Sequence, residues 1–217
     1  MEPFKLTRIY STGYPFWDIY TIVRKAFCPY RGIKLSTAEI TDRAKLDESK
    51  RYVNLVRMDG TDRDNKPVVI VILDRMENGG NEIATITERF KLFVNNLKAP
   101  NHDIIIISPC NFATHVLNFI DGVANLRKHL YRYNWDQFKT VHPLGVFCSE
   151  FDVLTDKQAD DELAMFNMER SEMKKMFSND PQNDWLGAKP GQVIRIKRTI
   201  PGTGFGTDYR LVVEKKV

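Results

Sequence analysis

Cysteine is scarce in this chain. Its three thiols, Cys28, Cys110 and Cys148, are scattered over 217 residues without a Cys-x-x-Cys pair. That spacing lacks the usual zinc pattern and argues against a disulfide framework. Reduced, mostly buried thiols are the plain reading. Histidine is nearly as sparse. His102, His115, His129 and His142 include no pair four apart with an intervening glutamate, so there is no zincin site. No Gly-x-Ser-x-Gly elbow supports a serine hydrolase, although triad members need not be neighbours in sequence. No metal, no cofactor and no small-molecule substrate are expected. Long apolar runs are missing as well. The longest, Val68–Leu73 and Ile104–Ile107, fall far short of the roughly 20 residues that span a bilayer. Met1–Tyr10 carries Glu2, Lys5 and Arg8 and does not read as a signal peptide. A soluble, intracellular protein with no membrane partner is expected. Internal repeats and low-complexity segments are absent from the sequence too.

What is present is an ordinary globular composition, 42% hydrophobic and 28% charged, with a formal charge of +4. The charge is unevenly placed. From His142 onward there are 11 basic and 12 acidic residues, and the other 21 basic and 16 acidic residues precede it. A basic excess of that size permits contact with nucleic-acid phosphate without requiring it.

Two composition regimes divide the chain into 1–141 and 142–217. In the first, Phe16, Trp17, Ile19, Tyr20, Val23 and Phe27 recur at helical spacing, and Pro29 is expected to stop that helix. Ser36 before Thr37-Ala38-Glu39 reads as a capping box. A strand is expected over 52–58, with a turn from Asp59-Gly60 to Pro67. Val68–Leu73 and Asp103–Ile107 read as strands buried on both faces. Helices are expected over Ile83–Asn96 and around Phe112–Val123. Strand, helix, strand, helix implies an α/β layer with parallel pairing. In the second regime, Thr155 is expected to cap a helix over Asp156–Phe166, and Ser171 another continuing to Phe177. Asp180-Pro181 reads as an N-cap followed by proline at the first helical position, and Gly187 as the glycine that ends the turn. Lys189-Pro190-Gly191-Gln192 fits a type II turn. Two alternating segments, 193–198 and 208–213, form an antiparallel hairpin closed by Pro201–Gly206. The fold class is therefore α/β, or α+β overall.

Three groups of residues invite a chemical reading. The Gly202-x-Gly204-x-Gly206 run leads into a strand, not into a helix N-terminus, so it reads as a hairpin loop and not a phosphate cradle. Asp74 and Asp103, at the ends of buried strands, could serve a metal-dependent nuclease, but no ligand pattern accompanies them. Arg195, Lys197, Arg198 and Arg210 gather cations near one hairpin. They suit phosphate or an acidic protein surface, and the near-neutral second half favours the protein partner.

The order Asp180-Pro181, Leu186-Gly187-Ala188-Lys189-Pro190-Gly191-Gln192-Val193-Ile194-Arg195-Ile196, Arg198 and Tyr209-Arg210-Leu211-Val212-Val213 closely resembles one family. Its mark is the C-terminal domain that the fifth common subunit of eukaryotic RNA polymerases shares with its archaeal counterpart, the H-type polypeptide. Leu154-Thr155 before a helix fits as well. The resemblance covers 142–217 strongly and the rest weakly, and an N-terminal part of this size implies the eukaryotic form. It implies a non-catalytic, multisubunit polymerase subunit with a nuclease-like N-terminal jaw beside downstream double-stranded DNA. The C-terminal assembly module would dock on the largest subunit through Asp180, Pro181, Gly187, Lys189, Pro190, Gly191, Arg195, Arg198, Tyr209 and Arg210. Where family members carry Thr-Pro-Ser-Ala at a DNA-facing loop, this chain has Ser108-Pro109-Cys110-Asn111-Phe112-Ala113, so Ser108, Pro109, Asn111 and Ala113 are the candidate DNA-facing residues. Where the family has His-x-Leu-Val-Pro-x-His, this chain has His142-Pro143-Leu144, an insertion, and then Ser149-Glu150-Phe151 in place of Pro-x-His. It resembles a divergent member, cellular and nuclear, or encoded by a large DNA virus and placed in a cytoplasmic factory and the virion. A stand-alone nuclease-like protein and a polymerase-independent adaptor are the alternatives.

Overall fold

The computed structural model describes residues 15–36, 55–73, 82–83, 102–122, 130–139, 149–200, 202 and 204–214. They fall into two compact units, one drawn from 9–140 and one from 141–217, and each is described by itself.

The first unit is a five-stranded sheet. Its strands are β1 (Lys34–Leu35), β2 (Leu55–Thr61), β3 (Pro67–Leu73), β5 (Asp103–Ser108) and β7 (Leu130–Asn134), in the order β1-β2-β3-β5-β7. β1, β2 and β3 pair antiparallel, while β3, β5 and β7 run parallel. Val68–Leu73 and Ile104–Ile107 are buried throughout, as unbroken β-branched runs in a parallel sheet should be. One face, with Val69, Val71, Ile104 and Ile106, packs on Val116 and Ile120 of helix α3 (Thr114–Gly122). The opposite face meets the N-terminal helical segment, where Phe27 sits edge-on to Tyr133 at 5.7 Å and to Phe138 at 5.2 Å. Phe138 belongs to the short helix α4 (Asp136–Lys139). A separate parallel pair joins β4 (Glu82–Ile83) to β6 (Asn111–Phe112).

Several sequence expectations change here. Pro29 does not stop the first helix. Helix α1 (Pro15–Ile22) opens into a π-helical turn, Val23–Phe27, and resumes as α2 (Cys28–Arg31) with the proline in its first turn. The residues ahead of it are still helical, and the Cys28 N–H bonds the Val23 carbonyl, a π-type step that accommodates the missing N–H of Pro29. The stop falls instead at Gly32, left-handed at φ 76. Asp59 and Gly60 lie within β2, because they pair with Val69 and Val68. The turn comes later, where Asp62 Oδ1 accepts from the Asp64 and Lys66 N–H groups. Gly60 has no room for a side chain, since a Cβ would lie 2.6 Å from the Lys34 carbonyl oxygen. Ser36 donates its hydroxyl to the Asp59 carbonyl, and the helix expected after it lies outside the described residues. So do 52–54, Asp74, and the expected helix over Ile83–Asn96 apart from Ile83, which is a strand residue in β4.

The second unit is a four-stranded sheet, order β8-β10-β11-β9. It comprises β8 (Glu150–Val153), β9 (Lys174–Phe177), β10 (Val193–Ile200) and β11 (Gly204–Val213). β8, β10 and β11 pair antiparallel, and β9 joins β11 in parallel. Thr155 caps helix α5 (Asp156–Met165) in a capping box, its hydroxyl accepting from the Gln158 N–H. Ala159 and Leu163 of α5 pack on Leu154, Met173 and Val193. The helix expected from Ser171 to Phe177 is instead a 3₁₀ turn, Arg170–Glu172, followed by β9. Pairing with Arg210–Val213 overrides local helical preference there. Gly204 and Gly206 also belong to β11, so the closing loop is shorter than expected. No helix among the described residues is long and apolar enough to cross a membrane.

Candidate docking site

The loop most like the family motif is built as a rigid piece. Asp180 caps helix α6 (Pro181–Leu186) by accepting from the Gln182 N–H at 2.9 Å, and Gly187 ends it at φ 65. Trp185 and Leu186 are buried and anchor the helix. Asn183, 2% exposed, then ties the chain on both sides. Its Nδ2 donates to the Ser178 and Ala188 carbonyls, each at 2.9 Å, and its Oδ1 accepts from the Ala188 N–H at 3.1 Å. Lys189-Pro190-Gly191-Gln192 closes as a turn, with Gln192 N–H bonded to the Lys189 carbonyl at 3.0 Å and Gly191 at φ 92. The Gln192 side chain returns the bond by accepting from the Lys189 N–H at 2.8 Å. Pro190 and Gly191 are left at the tip, Gly191 exposed. Sequence reasoning missed Asn183, whose role depends on the turn that follows it.

The cations expected to face a partner are largely engaged within the chain. Arg195 lies across the sheet from Asp152 on one side and Tyr209 on the other. Its guanidinium reaches Asp152 at 2.8 Å and Glu162 of α5 at 2.6 Å. Lys197 stands 3.4 Å from Asp152, and Arg198 stands 3.8 Å from Asp208. Burial pushes the Asp152 carboxyl up, but the Arg195 hydrogen bond and the charges of Lys197 and Arg195 outweigh it and hold it below the usual carboxylate range. Tyr209 is half-buried against α5, its ring 5.8 Å from Phe166. Burial, with the Glu162 carboxylate beside it, pushes its phenol up to about 12. Arg210 has its Nε buried without a hydrogen-bond partner among the described residues, an arrangement that costs about 1–3 kcal/mol. Asp152 and Glu162 were not foreseen, because only the strand register brings them to Arg195.

In the first unit, the candidate DNA-facing residues follow β5. Ser108 is buried and its hydroxyl donates to the Cys110 carbonyl at 2.8 Å. Pro109 is half-buried, and Asn111 is exposed with its amide oxygen 3.4 Å from Asn134 Nδ2. Ala113 is half-buried, its carbonyl accepting from the Val116 and Leu117 N–H groups at the start of α3. No lysine or arginine lies in 108–113. Asp103 is buried at the start of β5 beside Val68, the end of β3 opposite to Leu73. Among the described residues no group of three His, Cys, Asp or Glu is placed to hold a metal ion.

The family model for the RNA polymerase Rpb5 C-terminal domain matches residues 146–212. Over 72 residues the chain is 35% identical to the DNA-directed RNA polymerase subunit Rpo5 of Nitrosopumilus maritimus, a stretch that is 33% of this chain and 87% of that protein. It is 38% identical over 69 residues to the Rpo5 subunit of Thermococcus kodakarensis, covering 32% of this chain and 84% of that one. The matched stretch contains this sheet and its loop and spans most of the length of those relatives, which are subunits of the transcription machinery. Through that stretch this chain belongs to the RNA polymerase Rpb5 family.

Proposed function

We propose that the chain is a non-catalytic common subunit of a multisubunit DNA-directed RNA polymerase, held in the enzyme by its C-terminal module. The match to the Rpb5 C-terminal domain over 146–212 carries this reading. The module docks on the largest subunit and presents the 187–192 loop. Because Asn183 and the Lys189–Gln192 turn fix that loop beforehand, little ordering entropy is lost on docking. The internal pairing of Arg195 assigns it chiefly to holding β8, β10 and α5 together, which leaves Pro190, Gly191 and neighbouring surface for the partner. The N-terminal module lies along downstream DNA, supported by the basic excess before His142. Such contact is sequence-independent and weakens with salt. Nucleotide addition, with its metal chemistry, belongs to the large subunits. The chain resides wherever its polymerase works, in a nucleus or a viral factory.

The test is affinity purification of the tagged chain from its native source at high salt, with mass spectrometry of what stays bound. Recovery of the two largest polymerase subunits in stoichiometric amount is expected. Recovery of the chain alone would overturn the reading.

A further inference from the structure

The sheet of the C-terminal module divides its charges unevenly between its two faces. Arg195 and Lys197 lie on the face that meets α5, where Asp152 and Glu162 answer them. Strand alternation turns their neighbours in sequence the other way. Arg198 and Ile200 of β10 therefore share the opposite face with Asp208 and Arg210 of β11 and Lys174 of β9, since Ile196 pairs with Asp208 and Arg210 pairs with both Ile194 and Lys174.

On this opposite face cations outnumber carboxylates. Among the described residues, Asp208 is the one carboxylate in ion-pair reach of Arg198, at 3.8 Å, and of Lys174, at 3.9 Å. Both distances are long beside the roughly 2.7–2.9 Å of a charge-assisted hydrogen bond. Asp208 also accepts from the Tyr209 N–H at 3.1 Å. Arg210 makes no ion pair among the described residues, and its buried Nε lacks a hydrogen-bond partner. Three cations thus stand against one carboxylate that is itself divided. The Lys174 and Arg198 side chains are 74% and 50% exposed, so the excess charge faces solvent.

Two observations decide the kind of anion that fits. The module as a whole is near neutral, with 11 basic and 12 acidic residues from His142 onward. It lacks the broad positive field that draws a nucleic-acid backbone. An apolar side chain also borders the cations. Ile200, 45% exposed, leans over Gly206, where a Cβ would lie 2.5 Å from its Cδ1. Local positive charge beside apolar surface, in a neutral module, complements a polypeptide that carries carboxylates and an apolar side chain.

We propose that this face docks an acidic segment of another polymerase subunit. The segment's carboxylates pair with Arg198, Lys174 and Arg210, and its apolar side chain covers Ile200. Asp208 is then an internal competitor for the same cations. The inference rests on the polymerase reading above and names the chemistry of the partner surface.

Charge substitutions on this face should act in opposite directions. Arg198→Glu and Lys174→Glu set a like charge against the segment. Asp208→Asn removes the competitor and keeps an acceptor for the Tyr209 N–H. Lys157→Glu makes the same change of net charge at an exposed position on α5. The full-length tagged chain and each variant are purified from the native source over a salt series, and binding of each isolated chain to duplex DNA is measured alongside. Arg198→Glu and Lys174→Glu are expected to lower polymerase recovery by about tenfold or more, with Lys157→Glu within about twofold of the parent. Asp208→Asn should hold polymerase to higher salt than the parent does. If both reversals on the face recover polymerase as Lys157→Glu does, the docking face is refuted and polymerase membership stands. If Asp208→Asn lowers recovery as the reversals do, the cluster only braces the sheet and the proposal is wrong. If the reversals weaken duplex binding and leave polymerase recovery unchanged, the cations serve nucleic acid and the proposal is wrong. If the parent itself recovers no polymerase, both readings fall. Should Arg198→Glu unfold, Lys174→Glu decides alone.

Discussion

Each module is tied together by an arginine, and the two surroundings differ in kind. In the N-terminal module Arg31, 9% exposed, lies against the rings of Phe27, Tyr131 and Tyr133 and donates to the Tyr133 hydroxyl at 2.7 Å. In the C-terminal module Arg195 lies between the Asp152 and Glu162 carboxylates. Arg31 ties a helix end to a strand already bordered by the apolar sheet. Arg195 ties an edge strand and a helix across a half-wet surface. Among the described residues, the first module hides its large hydrophobic side chains, chiefly in an unbroken Ile/Val sheet. The second leaves Met165, Phe166, Phe177, Ile200 and Phe205 exposed.

The largest expected effect is in the first module. Ile106→Ala, at a fully buried site, should cost about 3 kcal/mol by urea unfolding, and it should shift a transition that leaves the C-terminal module folded. A loss spread equally over both modules would merge what the comparison separates. Next, Arg195→Ala should cost about 2 kcal/mol, because two carboxylates lose their shared cation while remaining partly solvated. Arg31→Lys should cost about 1 kcal/mol, since an ammonium keeps the charge but loses the planar stacking. Arg210→Met should change unfolding by less than about 0.5 kcal/mol, or stabilise, because it removes an unsatisfied buried Nε.

Acid and alkali each probe the C-terminal module, which holds two groups that titrate away from their ordinary values. Asp152 is held below its ordinary range, so its contribution is present above the unfolded-state value and is lost as pH falls through the lowered native one. Asp152→Asn should flatten that acid limb in a pH series of thermal melts. Tyr209 has the opposite sense. Its contribution is full below the ordinary tyrosine value and disappears as pH rises through about 12. Tyr209→Phe should remove a late-titrating component from the alkaline absorbance change.

Some of this was readable in the chain. Val68–Leu73 and Ile104–Ile107 announce themselves because a strand buried on both faces needs no polar alternation. The Thr155 and Asp180 caps were legible because their partners lie within three residues. What failed depended on distant pairing. β9 forms in a Lys-Lys-Met-Phe segment only because β11 is there to pair with it. Pro29 misled because a π-helical turn shifts the hydrogen-bond register ahead of it. The carboxylates that engage Arg195 were not legible, because Asp152 and Glu162 lie 43 and 33 residues away in sequence.

The most direct test of the central claim is cross-linking mass spectrometry of polymerase purified through this chain. Assembly through the C-terminal module predicts lysine cross-links from Lys174, Lys175 or Lys189 to the largest subunit. Links to the large subunits only from N-terminal lysines such as Lys25, Lys34 and Lys66, with none from the C-terminal module, would contradict it.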